Sequence, residues 1–185
     1  DVPYTLKVNP APVTVTALPA GKVYGAADPV FIAKVDGMVK GESLSLINYS
    51  ISRSPGEAAM VYSKGIIPAG DPLQGNYAVT YVPADFTITR AGGLTLKADN
   101  YEGIYDGKLH GNVATVSVTE GTTVKYRVGA DGIWSSDVPQ IKDLGSMTVT
   151  VRAENSNYTD PEDVTYTLKV NPALVTVTAL PAGKV

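Results

Sequence analysis

Residues 1–23, DVPYTLKVNPAPVTVTALPAGKV, return as residues 163–185, DVTYTLKVNPALVTVTALPAGKV, with changes only at Pro3/Thr165 and Pro12/Leu174. The offset, 163 − 1, is 162 residues. Near-identity at this distance is the mark of a tandem array, in which each unit builds its own core and length is set by copy number. The chain is therefore expected to be a stretch of such an array, and a single core fused across both halves is not expected.

A weaker period of half that length lies inside the first. At an offset of 81, Thr14 and Ala17 match Thr95 and Ala98, Val23-Tyr24 matches Ile104-Tyr105, and Ile32-Ala33-Lys34-Val35 matches Val113-Ala114-Thr115-Val116. Asn76-Tyr77 likewise matches Asn157-Tyr158, while Phe86-Thr87-Ile88 meets Tyr166-Thr167-Leu168 at an offset of 80. The reading that follows is residues 1–11 as the last strand of a preceding repeat, 12–92 as a first unit, 93–173 as a second, and 174–185 as the first strand of a following repeat. Units of this size can fold alone, because chains near 60 residues already bury about 60% of their unfolded surface.

With no cysteine, disulfides are excluded in any compartment. No apolar run approaches the length of a membrane span. A formal net charge of −3 and the absence of clustered Lys/Arg give little reason to bind nucleic acid or an anionic membrane.

Alternation of period two dominates, filled by Val, Thr, Ile and Tyr, which suit a pleated, half-buried surface. Val13, Val15 and Ala17 fall on one face and Thr14 and Thr16 on the other. The same pattern recurs in Met147, Val149 and Val151 and in Tyr166, Leu168 and Val170. Further strands are expected at residues 30–35, 59–63, 77–82, 86–90, 94–98, 113–119 and 123–128, with glycines and prolines between them. No segment of 11 or more residues has helical spacing. The fold class is all-β, two tandem β-sandwich units joined by short linkers. For the first unit, turn-rich stretches at 52–57 and 65–75 point to a shorter or irregular sheet, with a ubiquitin-like grasp fold as runner-up if Gly56–Met60 extends into a helix.

The order Val23-Tyr24-Gly25-Ala26-Ala27-Asp28-Pro29, Gly41-Glu42-Ser43-Leu44, Pro55-Gly56-Glu57 and Gly75-Asn76-Tyr77 resembles the MBG ("mostly beta globular") repeat of bacterial surface proteins. The second unit, with Tyr105-Asp106-Gly107, Val124-Lys125-Tyr126, Val151-Arg152-Ala153 and Ser156-Asn157-Tyr158, resembles the Ig-like repeats that accompany MBG units in large secreted adhesins. The resemblance implies an extracellular, cell-wall-attached or secreted protein whose repeats form a stalk and sometimes contribute to adhesion. It implies no enzyme activity and no cofactor.

The joints differ in chemistry. Asn9-Pro10-Ala11-Pro12 and Asn171-Pro172-Ala173-Leu174 join one period to the next, and proline makes this link short and stiff. Ala91-Gly92-Gly93 joins the units within a period, and its glycines permit a looser bend. Residues 1–8 and 175–185 would expose apolar stripes if unpaired, so pairing with a neighbouring molecule, head to tail, or packing on the adjacent unit is expected.

Sites of chemistry are sparse. His110, the one histidine, lacks the companions of a zinc site and reads as a turn residue. Ser135, His110 and Asp137 compose a triad on paper, but no G-x-S-x-G elbow surrounds any serine. The acidic runs Asp99-Asn100-Tyr101-Glu102 with Asp106, and Asp160-Pro161-Glu162-Asp163, lack EF-hand spacing and read as turn caps. Asn76-Tyr77 and Asn157-Tyr158 read as strand-entrance tyrosines that tie a corner. Trp134 is the candidate ligand contact, either a solvent-facing platform for a sugar or protein partner or, on the structural reading, a plug at one end of the sandwich core. No catalytic, metal or cofactor residue is expected. Two functions follow: a stalk whose partners are neighbouring repeats of the same chain, or a module that itself binds host glycan or protein.

Overall fold

The computed structural model describes residues 3–179 and Gly183. The chain divides into two compact units, Asp1–Ala91 and Gly92–Val185. Both are β-structures, and among the described residues the sole helical element is one 3-10 turn at Leu44–Leu46, capped by the Ser43 hydroxyl.

Unit 1 is built around a bent ribbon of two chain segments. β1 (Ala11–Ala17) lies parallel to β7 (Tyr77–Val82), and β2 (Ala20–Val23) lies parallel to β8 (Ala84–Thr89). Ala11 faces Tyr77 and Ala20 faces Phe86, so one register offset, 66, runs through both pairs. The two segments therefore stay paired while they pass together from one sheet to the other. Leu18-Pro19 and Pro83 occupy the crossings, where a residue without an N–H interrupts the ladder and lets the strand turn.

The first sheet has the order β3-β1-β7-β6, with β3 at Ala33–Asp36 and β6 at Leu73–Gln74. Alternation places Val13 and Val15 in its core with Ile47, Tyr77 and Val79. The second sheet has the order β2-β8-β5-β4, with β4 at Ser50–Arg53 and β5 at Val61–Ala69. Ala17, Ile66, Phe86 and Ile88 form its core, and Phe31 packs edge-on against Phe86 with ring centroids 5.6 Å apart.

One expectation for this unit is corrected and its runner-up fold is set aside. The stretch 65–75 is not simply turns, because β5 continues through Gly65 to Ala69 across a bulge between Tyr62 and Ile66. The bulge holds Lys64 at φ 53°, an unusual value for a side-chain-bearing residue, and Asp85 Oδ1 accepts from its N–H at 2.7 Å. No helix grows from Gly56–Met60, since Gly56 sits at φ +127°, outside the right-handed helical region.

Unit 2 repeats the second sheet of unit 1. β10 (Tyr101–Ile104), β14 (Val164–Asn171), β13 (Gly145–Asn155) and β12 (Thr122–Val128) lie in that order, with β10 and β14 parallel and the other pairs antiparallel. The order and sense match β2-β8-β5-β4, the structural counterpart of the 81-residue period. The other sheet has shrunk to β9 (Leu96–Lys97) against β11 (Thr115–Val116). The equivalent of β7 falls on Tyr158–Asp163, where Pro161 and three carboxylates replace the alternating Val and Tyr of β7 and no strand forms. Leu96, Tyr126, Ile141, Val149, Val151, Ala153, Tyr166, Leu168 and Val170 make the core.

The described part of the terminal segments behaves unlike its internal copies. Tyr4, Leu6 and Val8 are 86%, 86% and 93% exposed in a segment with no strand, whereas their counterparts Tyr166, Leu168 and Val170 are 1%, 0% and 3% exposed in β14. The packing of residues 3–8 onto the adjacent unit is thus not made. Leu174, Val175 and Val177 are also exposed, and the rest of the expectation for 175–185 falls largely outside the described residues.

Candidate functional site

In unit 1 a four-membered charge network assembles at the end of the second sheet. Lys22, on the same face of β2 as the core-packed Ala20 and registered opposite Ile88, reaches Asp28 at 2.8 Å and Glu57 at 2.6 Å. Arg53, at the end of β4, donates from Nε to Asp28 at 2.6 Å and also pairs with Glu57. Its remaining donors satisfy the Ser54 and Gly56 carbonyls at 2.8 Å each, and its guanidinium lies 5.0 Å from the centre of the Phe86 ring. The Lys22 side chain is only 6% exposed, so the ammonium is covered by its partners.

The protonation energetics follow from these bonds. Hydrogen bonds from Arg53 and Lys22 hold the Asp28 carboxyl below its ordinary value, and those from Lys22 and Arg53 do the same for Glu57. Asp28 and Glu57 in turn raise Lys22. Asp28 and Glu57 belong to motifs visible in the sequence, but Lys22 and Arg53 carried no signal there. Only the folding of β2 and β4 as the two edges of one sheet, with Asp28 and Glu57 reached from both, brings them to the same place.

A second tie joins Tyr77 to Glu42. The phenol of Tyr77 donates to the Glu42 carboxylate and accepts from the Val39 N–H at 3.1 Å, and the Glu42 bond raises the Tyr77 pKa. The strand-entrance tyrosine therefore fills the core with its ring and fastens the 39–42 turn with its hydroxyl. Its counterpart Tyr158 is half-buried.

Trp134 lies on the outward face of the β12–β13 sheet. Tyr126 and Val151 point inward as a registered pair, which turns Arg127 and Arg152 outward. Mutual backbone hydrogen bonds of 2.7 and 2.9 Å between Tyr126 and Ser135 bring the 134–135 segment along the free edge of β12. The indole then receives the guanidinium of Arg127 at 4.9 Å and that of Arg152 at 4.6 Å from its ring centre. Arg152 is held by two 2.9 Å hydrogen bonds to Asp163, which is thereby shifted below the ordinary carboxylate range. Arg127 Nε is buried without a hydrogen-bond acceptor. Trp134 is neither a free platform nor a member of the core cluster; it is half-buried between two arginines.

The remaining candidates are distributed as ties. His110 stacks on Tyr101, with centroids 4.6 Å apart and planes 13° apart, and its Nε2 lies 2.8 Å from Asp106. That contact lowers the Asp106 pKa. Ser135 Oγ donates to Asp137 at 3.1 Å, and no hydrogen bond joins Ser135 to His110. Of the acidic runs, Glu102 accepts from Lys169 at 2.7 Å and from Asn171 at 2.8 Å, Asp163 is taken by Arg152, and Asp160 accepts the Asn155 N–H at 3.1 Å. Among the described residues no group of three or more carboxylates or histidines is arranged to hold a metal ion. Three surface depressions, one lined by 19–23 with Thr87 and Thr89, one by 8–10 with Leu73, Gly75 and Asn76, one by Tyr105, Asp143, Leu144, Pro172, Ala173 and Val175, bring no set of acids and bases together.

No curated protein matches the chain. Residues 13–87 match the family described as MBG domain (YGX type), a span that holds Tyr24-Gly25, the charge network of Lys22, Asp28, Arg53 and Glu57, and the Tyr77–Glu42 tie, and nothing of unit 2. The likeness to the MBG domain family thus lies within unit 1.

Proposed function

We propose that this chain is a segment of a tandem-repeat stalk in an extracellular bacterial surface protein, projecting an adhesive region away from the cell. The observation that carries the reading is repetition at two scales, 162 residues in sequence and a shared sheet order in the two units. The MBG domain is a structural family that occurs in surface proteins, which agrees with it. Among the described residues no helix is long and apolar enough to cross a membrane.

The joints support reach. β14 ends at Asn171, and Ala173 is the repeat copy of Ala11, where β1 opens. In an array a single residue, Pro172, would separate one strand from the next. Such a link has a fixed φ and no slack. Gly92 and Gly93 mark the looser joint within each period.

Small-angle scattering of chains with two, three and four periods tests the proposal. The maximum dimension should grow in proportion to period number, with bending concentrated at Gly92-Gly93. A maximum dimension that saturates with period number would overturn it. The rival reading, direct binding of host glycan or protein, is tested by a glycan-array and mucin screen of one intact period, with Trp134→Ala as the control. Ligand capture lost in that variant would favour the rival.

A further inference from the structure

We propose that each unit is a shear clamp, and that unit 1 is the mechanically stronger of the two; this load-bearing role rests on the stalk reading. When the chain is held at both ends, force enters unit 1 at Ala11, the start of β1, and leaves at Thr89, the end of β8. Because β1 and β2 run parallel to β7 and β8, those two points lie at opposite ends of one hydrogen-bonded ribbon. Pulling on them slides the two segments past each other along their own axes. The ladder bonds lie across that direction, so they are loaded together instead of one after another.

The extent of the ribbon sets its strength. Six registered positions join β1 to β7 and four join β2 to β8, and the bonds Ala11 N–H to Asn76 O at 2.8 Å and Tyr24 N–H to Thr89 O at 2.9 Å close its two ends. Sliding would also drag Val13, Val15 and Ala17 out of their cores and pull Lys22 from Asp28 and Glu57. Unit 2 has the same geometry in a shorter form. Force passing to Asn171 is carried by β10 and β14, which share four registered positions, one further bond from the Tyr105 N–H to Asn171 O at 2.9 Å, and the Glu102 tie to Lys169 and Asn171.

Single-molecule stretching of the whole 185-residue chain by its ends tests this. Two rupture events are expected, the stronger at roughly two- to threefold the force of the weaker if each backbone hydrogen bond contributes alike. The stronger event is assigned with Thr14→Cys/Thr80→Cys, a registered pair in a chain that has no native cysteine. Oxidation should shorten that event by about 230 Å of released chain, at roughly 3.5 Å per bypassed residue. The reduced form of the same variant, ruptured like the parent, controls for folding. Moving the handles to Pro10 and Gly37 loads the antiparallel β1–β3 pair from one end, and the force should fall severalfold. Equal forces in the two geometries, or a disulfide that shortens the weaker event, would overturn the clamp. Uniformly low forces would also overturn it while leaving the stalk reading to be judged by its scattering test.

Discussion

Tyr166 donates its phenolic hydrogen to the backbone carbonyl of Asn112 at 3.1 Å from a position that is 1% exposed. Burial raises its pKa, as expected of a phenol whose charged form would sit in the core of unit 2. Tyr166→Phe keeps the ring and leaves that carbonyl without its partner, so unit 2 should lose about 1–2 kcal/mol. The repeat copy supplies the control: Tyr4 is 86% exposed, and Tyr4→Phe should change nothing. Urea unfolding followed by the fluorescence of Trp134, the chain's one tryptophan, reads unit 2 alone.

Gly21 shows the same contrast. A Cβ at this position would stand 2.5 Å from the Thr87 carbonyl oxygen, its registered partner on β8. Gly21→Ala should push β2 from β8 and destabilise unit 1 by about 1–3 kcal/mol. Gly183 is the same residue one period later and has open space around its Cβ position. Gly183→Ala should be silent in calorimetry, and a matching loss there would refute the argument from strand contact.

The charge network predicts a two-sided pH dependence for unit 1. Asp28 and Glu57 are depressed below their ordinary values of 3.8 and 4.5, so their contribution is complete above those values and fades as pH falls through the lower, folded ones. Lys22 is raised above 10.5, so its contribution is complete below that value and is lost as pH rises through the higher, folded one. Thermal melting across both windows should show losses at each extreme. In Asp28→Asn the acid loss should shrink; an unchanged acid limb would show that the network contributes nothing.

Trp134→Ala should cost unit 2 about 1–2 kcal/mol, because two arginine contacts of about 0.5–1 kcal/mol each disappear. Circular dichroism during urea unfolding measures it. Arg127→Met should be milder, since a guanidinium with a buried, unsatisfied Nε is replaced by an apolar chain. A larger loss for Arg127→Met than for Trp134→Ala would contradict this account of the stack.

Local pattern explains most of what was readable in advance. Residues 77–82 were expected as a strand and form β7, and the alternations at 13–17, 147–151 and 166–170 put the expected residues in the cores. The missed strands are Ala20–Val23, Ser50–Arg53, Leu73–Gln74 and Tyr101–Ile104. They are two to four residues long and each contains at least one of Gly, Ser, Lys, Gln or Glu, too short for a period to show, and their neighbours hold them in place. Asp28, Glu57 and Tyr77 stood in visible motifs, while Lys22, Arg53 and the two arginines around Trp134 were invisible as partners because Lys22 lies 35 residues from Glu57 and Arg53 25 from Asp28, and the shorter separations cross turns instead of running along one strand or helix.

By itself the sequence determined that this chain is all-β and modular, because alternation and repetition are properties of neighbouring residues and of copies. Tertiary structure alone decided which copies become strands. Tyr-Thr-Leu-Lys-Val is a buried strand at 166–170, between β10 and β13, and exposed chain at 4–8. A strand's backbone groups and apolar face are stabilised only by partners on either side, and no five residues can carry those partners within themselves.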